Sequence, residues 1–334
     1  MALLIALAGC GSSASGTAKV TTLVHLPADQ AAHASAHNEW WYLVGHLQSG
    51  NRHFGFETTV FRFHNVKLPG FASSVSLFRS DVALTDIAAE TYAQHVTYYF
   101  PGSVTASTGS LDVVTPKASL QAAGGGMTLK SSVSGDRLTL HLISHRTPLL
   151  VGGRGYIPLG NGHSYYYSLT DLTASGTLRS GGKTLKVRGI AWLDHQWGNW
   201  GWGSIRGWTW MALQLKNGVQ LSLSDFRGTT RQVREANVSL GNNRQATVLS
   251  LSVAHTGTWT SPHDHAVYPS GWVVRIPRYH AILHITPSVK DQEMIVPQEV
   301  VGSYWEGAGT ITGSWAGKPV TGLSYTELVG YVKH

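Results

Sequence analysis

Trp40-Trp41-Tyr42-Leu43-Val44-Gly45-His46-Leu47-Gln48-Ser49-Gly50 returns in altered form as Trp208-Thr209-Trp210-Met211-Ala212-Leu213-Gln214-Leu215-Lys216-Asn217-Gly218. The first, third, eighth and eleventh positions are identical or similar, and each copy runs on through alternating residues to an aromatic–arginine pair, Phe61-Arg62 and Phe226-Arg227. The ends repeat too. Gly189-Ile190-Ala191-Trp192-Leu193-Asp194 is echoed by Gly322-Leu323-Ser324-Tyr325-Thr326-Glu327, so that Trp-x-Asp becomes Tyr-x-Glu. A unit of this size is too long for a solenoid repeat. It points to duplication of a whole domain, with the join between Asn199 and Gly207. Working outward, Thr58 to Phe63, Arg137 to Leu142 and Val219 to Ser224 alternate apolar and polar residues, the period of a half-buried strand. Gly124-Gly125-Gly126, Gly152-Gly153, Gly181-Gly182 and Asn217-Gly218 punctuate them as turns. The expectation is an all-β chain of two tandem antiparallel barrels, the first starting near His37 and the second near Arg206.

The composition suits this reading. Hydrophobic residues make up 42% of the 334 residues and charged ones only 13%, enough apolar material for two cores. The net charge is +7, but Lys and Arg are scattered without a dense basic run. That weighs against nucleic acid and fits an anionic membrane surface better. The single cysteine, Cys10, excludes an internal disulfide. It ends Leu7-Ala8-Gly9-Cys10 behind a short apolar run, the pattern of a bacterial lipoprotein signal, although no Lys or Arg precedes the run. The expected organisation is a signal-like segment over 1–10 with Cys10 as lipidation site, a linker over 11–34, and domains over 35–202 and 203–334. The protein would then sit in the bacterial cell envelope, lipid-anchored or secreted.

Trp192 to Trp202 holds four of the twelve tryptophans around one carboxylate and one imidazole, Asp194 and His195. An acid wedged among indoles is poorly solvated and its pKa rises. Such an acid protonates an olefinic carbon, and indole faces stabilise the resulting cation. The competing reading is a duplicated structural acid closing a barrel end, as Glu327 in the second copy invites. Neighbours on a strand face opposite ways, so Asp194 and His195 need not form a dyad. Glu39 is a second candidate acid, sharing a face with Trp41, against an exposed strand start; Tyr165-Tyr166-Tyr167 is a phenol run, against a strand with aromatics on both faces. Seventeen histidines form no recognisable metal-binding spacing. Gly-x-Ser-x-Gly, P-loop and dinucleotide fingerprints are absent from the sequence.

Seven motifs occur in order: Glu39-Trp40-Trp41-Tyr42, Phe61-Arg62-Phe63, Ser80 to Asp86, Tyr167-Ser168-Leu169-Thr170, Trp192 to Gly198, Tyr268 to Trp272, and Tyr304-Trp305-Glu306-Gly307. Together, over about residues 35–332, they resemble the AttH-like and hydroxyneurosporene synthase (carotenoid 1,2-hydratase) superfamily. The resemblance implies two lipocalin-like barrels and a long apolar, often unsaturated ligand. Its branches include cofactor-free hydratases of acyclic carotenoids and of a prenylated isoflavonoid, pericyclases acting on polyenes, and bacterial members found beside lipid-exporting ABC transporters. The expectation is therefore an isoprenoid, polyene or lipid bound between or inside the barrels and hydrated or cyclised without cofactor or metal. Asp194 would be the proton donor, assisted by Glu39 and Tyr167. Trp41, Trp192, His195, Trp197, Trp202, Trp210, Tyr304 and Trp305 would contact the ligand. A non-catalytic lipid-binding accessory protein, with an ABC exporter as partner, and a pericyclase are the competing readings. An ordered cavity reaching Asp194 separates the catalytic reading from a sealed structural acid.

Overall fold

A computed structural model describes residues 23–67, 72–230, 232–296 and 302–332. Cys10 and the signal-like segment lie outside the described residues. Two large antiparallel sheets account for most of the chain, and each curls on itself in the manner of a lipocalin-like barrel. In the first, Asn38–Ser49 lies between Arg52–Val66 and Lys183–Asn199. In the second, Ile205–Leu215 lies between Gln220–Gly228 and Lys318–Val329. Each opening strand thus pairs with its own hairpin partner and with the last long strand of its sheet. The register makes the duplication concrete: Trp40 pairs with Phe61 and Tyr42 with Asp194, as Trp208 pairs with Phe226 and Trp210 with Glu327.

The strands that carry the repeat are buried on both faces. Trp41, Leu43 and Leu47 point into the first barrel, whose interior is filled by side chains such as Phe54, Phe56, Leu129, Leu140 and Leu142. Tyr42 and Val44 point the other way, where they meet Trp192 and, from the second barrel, Trp210, Ala212, Ala308 and Tyr325. The second barrel repeats the arrangement, with Met211, Leu213 and Leu215 in its own core. Double burial explains why these stretches read as continuous apolar runs while hairpins farther out alternate cleanly. The segment 23–36 is packed rather than loose: Val24, Ala32 and Ala36 join the first core, and the Ala32 amide donates to the Ser107 carbonyl at 2.8 Å.

The two barrels dock through polar contacts as well as apolar ones. Gln214 donates from Nε2 to the Thr170 carbonyl at 2.8 Å, His46 Nε2 lies 2.9 Å from the Ser324 carbonyl, and Thr85 Oγ1 donates to Gln292 Oε1 at 2.9 Å. At Gly55 the first sheet approaches the second closely, against Ala308. A Cβ built there would fall 2.6 Å from the alanine methyl, so only glycine fits.

Candidate active site

The outer faces of the two central strand pairs do not touch along their whole length. At one end they leave a cavity of about 90 Å³ between the barrels. Its walls are Trp40, Phe61 and Phe63 from the first barrel, Trp208, Trp210 and Phe226 from the second, and Trp202 from the connection. Asp194, Glu327, Tyr42, Tyr166, Arg79 and Gln196 supply the polar part of the lining. The cavity therefore lies between the barrels rather than inside either.

Asp194 reaches this cavity from the strand Lys183–Asn199 while remaining 2% exposed. Its Oδ1 accepts the Trp192 indole N–H at 2.6 Å and its Oδ2 the Tyr166 hydroxyl at 2.5 Å. No lysine, arginine or histidine pairs with it among the ion pairs of the described residues. Burial pushes its carboxyl up to about 7 against the opposing hydrogen bonds. Glu327 enters the same cavity from the strand Lys318–Val329, and its Oε2 accepts the Trp208 indole N–H at 2.7 Å. Burial first, and the charge of Asp194 in addition, push Glu327 up to about 7.

Behind the cavity lies a further layer of buried acids. Tyr42 donates to Glu306 Oε1 at 2.6 Å, and Tyr304 donates to Asp81 Oδ2 at 2.5 Å. Asp81 is ion-paired with the buried Arg79, while Glu57 Oε1 accepts the Thr59 hydroxyl at 2.9 Å. Burial holds both Glu57 and Glu306 well above the ordinary carboxylate range, and their second oxygens have no protein partner. A carboxyl left this way is cheapest to bury as the neutral acid. None of Tyr42, Glu57, Arg79, Tyr166 or Glu306 was singled out from the sequence as a site residue. The parity of Tyr42 with Trp40, which faces Phe61, is the one local signal that finds any of them.

Several expected site residues face away from this cavity. Glu39, Trp41, Tyr167, His195 and Trp197 project into the first barrel and are not among the lining of this cavity. Their parity along the strands is opposite to that of Tyr42 and Asp194. Trp305 belongs to the second barrel's core and donates to the Lys290 carbonyl at 2.7 Å. Trp192 is buried behind Asp194, where it orients the acid rather than facing the cavity. Trp202, Trp210 and Tyr304 do line the cavity with Asp194.

Glu39 is instead the hub that fastens the N-terminal segment over the first barrel. It accepts the His33 backbone N–H at 3.1 Å, contacts His33 Nδ1 at 2.8 Å and His195 Nε2 at 3.1 Å, and accepts Arg62 Nη1 at 3.0 Å. Burial by itself raises its pKa, but the hydrogen bonds from His195 and His33 win and hold it down to about 2. His33, Glu39 and His195 offer ligand atoms within 4.8 Å of one another, the spacing of a metal site. The donor set does not fit one: the guanidinium of Arg62 already neutralises Glu39, and two histidine rings share its Oε1.

The chain belongs to the AttH-like family, whose profile matches residues 17–331. It is 29% identical to the dehydratase asqC of Emericella nidulans over 219 residues, 60% of this chain and 61% of that protein. The match thus spans about three fifths of that dehydratase's length. It is 25% identical to the kievitone hydratase of Fusarium solani subsp. phaseoli over 251 residues, 71% of this chain and 70% of that one. The crystal structure of an AttH from Nitrosomonas europaea superposes with a TM-score of 0.81 at 28% identity, covering 92% of this chain and 97% of that one. A kievitone hydratase structure from Nectria haematococca shares the fold at a TM-score of 0.74 and 19% identity, covering 93% and 95%.

Proposed function

We propose that the protein adds water to, or removes it from, a carbon–carbon double bond of an apolar isoprenoid or polyene held between the barrels, with Asp194 as the acid. One observation carries this reading: a carboxyl group that keeps its proton near neutrality opens onto an aromatic-walled cavity. In the hydration direction Asp194 gives its proton to the olefin. The cation so formed lies among Trp40, Trp202 and Trp208, whose ring faces contribute roughly 0.5–2 kcal/mol each. The Trp192 and Tyr166 donors already point at the carboxylate that develops on Asp194, so little reorganisation is needed. The names of the two curated relatives, a dehydratase and a hydratase, support the reaction class. A lipid anchor at Cys10 belongs to the same reading and would hold the protein at a membrane in which such substrates dissolve.

The test is incubation with kievitone and with a set of acyclic polyenes in ¹⁸O-labelled water, followed by mass spectrometry. The expected product carries one labelled oxygen with wild-type protein and is absent with Asp194→Asn. A rearranged product without added oxygen, formed equally by Asp194→Asn, would instead mark a pericyclase. A ligand recovered unchanged from every incubation, but bound, would mark a carrier. Loss of palmitate labelling in Cys10→Ser tests the anchor.

A further inference from the structure

Hydration needs a base as well as an acid, and the reading above leaves the base unassigned. We propose that Glu327 is the second catalytic carboxyl of the cavity, taking the proton of the attacking water while Asp194 supplies the proton to carbon. The inference rests on the hydratase reading of the same cavity. Three observations carry it. Glu327 occupies in the second barrel the strand position that Asp194 occupies in the first, so the duplication delivers the two carboxyls to the cavity from opposite walls. Each is held by an indole N–H from its own barrel, Trp192 at 2.6 Å and Trp208 at 2.7 Å. The two differ in what is left over. Both oxygens of Asp194 accept a hydrogen bond, whereas Glu327 Oε1 has no protein donor among the described residues. An acid whose conjugate base is fully solvated by fixed donors is suited to giving its proton. A carboxylate with a free oxygen on the cavity is suited to receiving one from water.

The step balances. The Asp194 O–H bond breaks, and its proton joins the π pair of the olefin as a new C–H bond. A lone pair of water forms the C–O bond at the adjacent cationic carbon, and Glu327 accepts the proton that this water loses. Asp194 ends as carboxylate and Glu327 as acid, and one proton passed back between them resets the site. In the dehydration direction Glu327 protonates the leaving hydroxyl and Asp194 removes the proton from carbon. The pair starts in the required state when one negative charge is shared between them, and like charges in one cavity resist a second ionisation. The charge of Asp194 adds to the rise of Glu327, while Arg79 opposes it and Asp81 reinforces it. Glu306, Glu57 and Tyr42 are the other titratable groups that interact with Glu327.

The first measurement needs no substrate. Difference infrared spectroscopy follows the protonated carboxyl stretch of wild type, Glu327→Gln and Asp194→Asn across the neutral range. The expected result is that Glu327→Gln removes one titration and Asp194→Asn lowers the midpoint of the one that Glu327 keeps. If Asp194→Asn leaves every remaining midpoint in place, the pair does not share a charge and the assignment is overturned. Glutamine keeps an oxygen for the Trp208 N–H, so Glu327→Gln is expected to fold, with circular dichroism as the check. The second measurement uses kievitone in D₂O. Glu327→Gln is expected to lose at least about a hundredfold in kcat with little change in KM. It still places deuterium on carbon through Asp194, and Glu327→Asp restores part of the rate. Wild-type kcat in Glu327→Gln overturns the role of Glu327 alone. Full turnover by Asp194→Asn overturns the hydratase reading itself. If wild type leaves kievitone unchanged, the infrared titration decides the role of Glu327.

Discussion

One strand pair presents two buried carboxyl groups with opposite fates. Glu39, on the inner face, is ringed by His33, His195 and Arg62 and stays ionised down to about 2. Asp194, on the outer face, has neutral donors and no cation, and holds its proton up to about 7. Both are almost completely removed from water. Burial alone does not decide what an acid becomes; the charge of its neighbours does. The inner acid is held by Arg62 and two histidines and fastens the chain, whereas the outer one has no cation beside it and lines the cavity between the barrels.

The comparison breaks most sharply under substitution. Asp194→Asn is expected to lower turnover by about a thousandfold, the range of a general acid, measured on whichever olefin the wild type hydrates. The same variant should be more stable than wild type in alkaline buffer. Asp194 has its pKa raised from 3.8, so the stability tied to its proton is complete below about 4 and lost as pH rises through about 7. Removing the acid recovers up to about 4 kcal/mol above that pH in urea unfolding. Glu39→Gln should do the reverse: it costs about 3 kcal/mol at neutral pH, the scale for breaking a buried ion pair. Because Glu39 is lowered from 4.5, its contribution is complete above about 4.5, and the deficit closes as pH falls through about 2. Turnover per folded molecule is expected to survive Glu39→Gln. Gly55→Leu attacks the docking instead, forcing a side chain against Ala308; about 1–3 kcal/mol of stability should go, together with ligand affinity in the cleft. The smallest effect belongs to Tyr166→Phe. It removes a hydrogen bond that lowers the Asp194 pKa, so the pH–rate profile should move upward by about one unit.

Much of the architecture is legible in the sequence. Strand alternation, the glycine breaks and the Trp40/Trp208 repeat identify two antiparallel barrels, and the tryptophan-framed Asp194 stands out. Which residues face the cavity was not legible, because hydrophobicity marks only burial. Trp41 and Trp40 are adjacent and both apolar, yet one fills a barrel and the other walls the cavity. A strand buried on both faces gives no polar side from which to take a bearing. Glu57, Asp81 and Glu306 were harder still, since they come together only when strands more than two hundred positions apart dock across the junction.

The filled interiors have a consequence for how this protein responds to heat and to a molecule bound between the barrels. Each barrel has a core of its own, so each is equipped to melt as a separate unit. The cleft, by contrast, exists only while the two are docked. A bound molecule therefore acts as mortar, stabilising the seam in proportion to its occupancy. Calorimetry should show two transitions for the empty protein drawing together into one as ligand is added. Substrate range in such a scaffold can change by resetting the angle between two intact barrels, without hollowing out either of them.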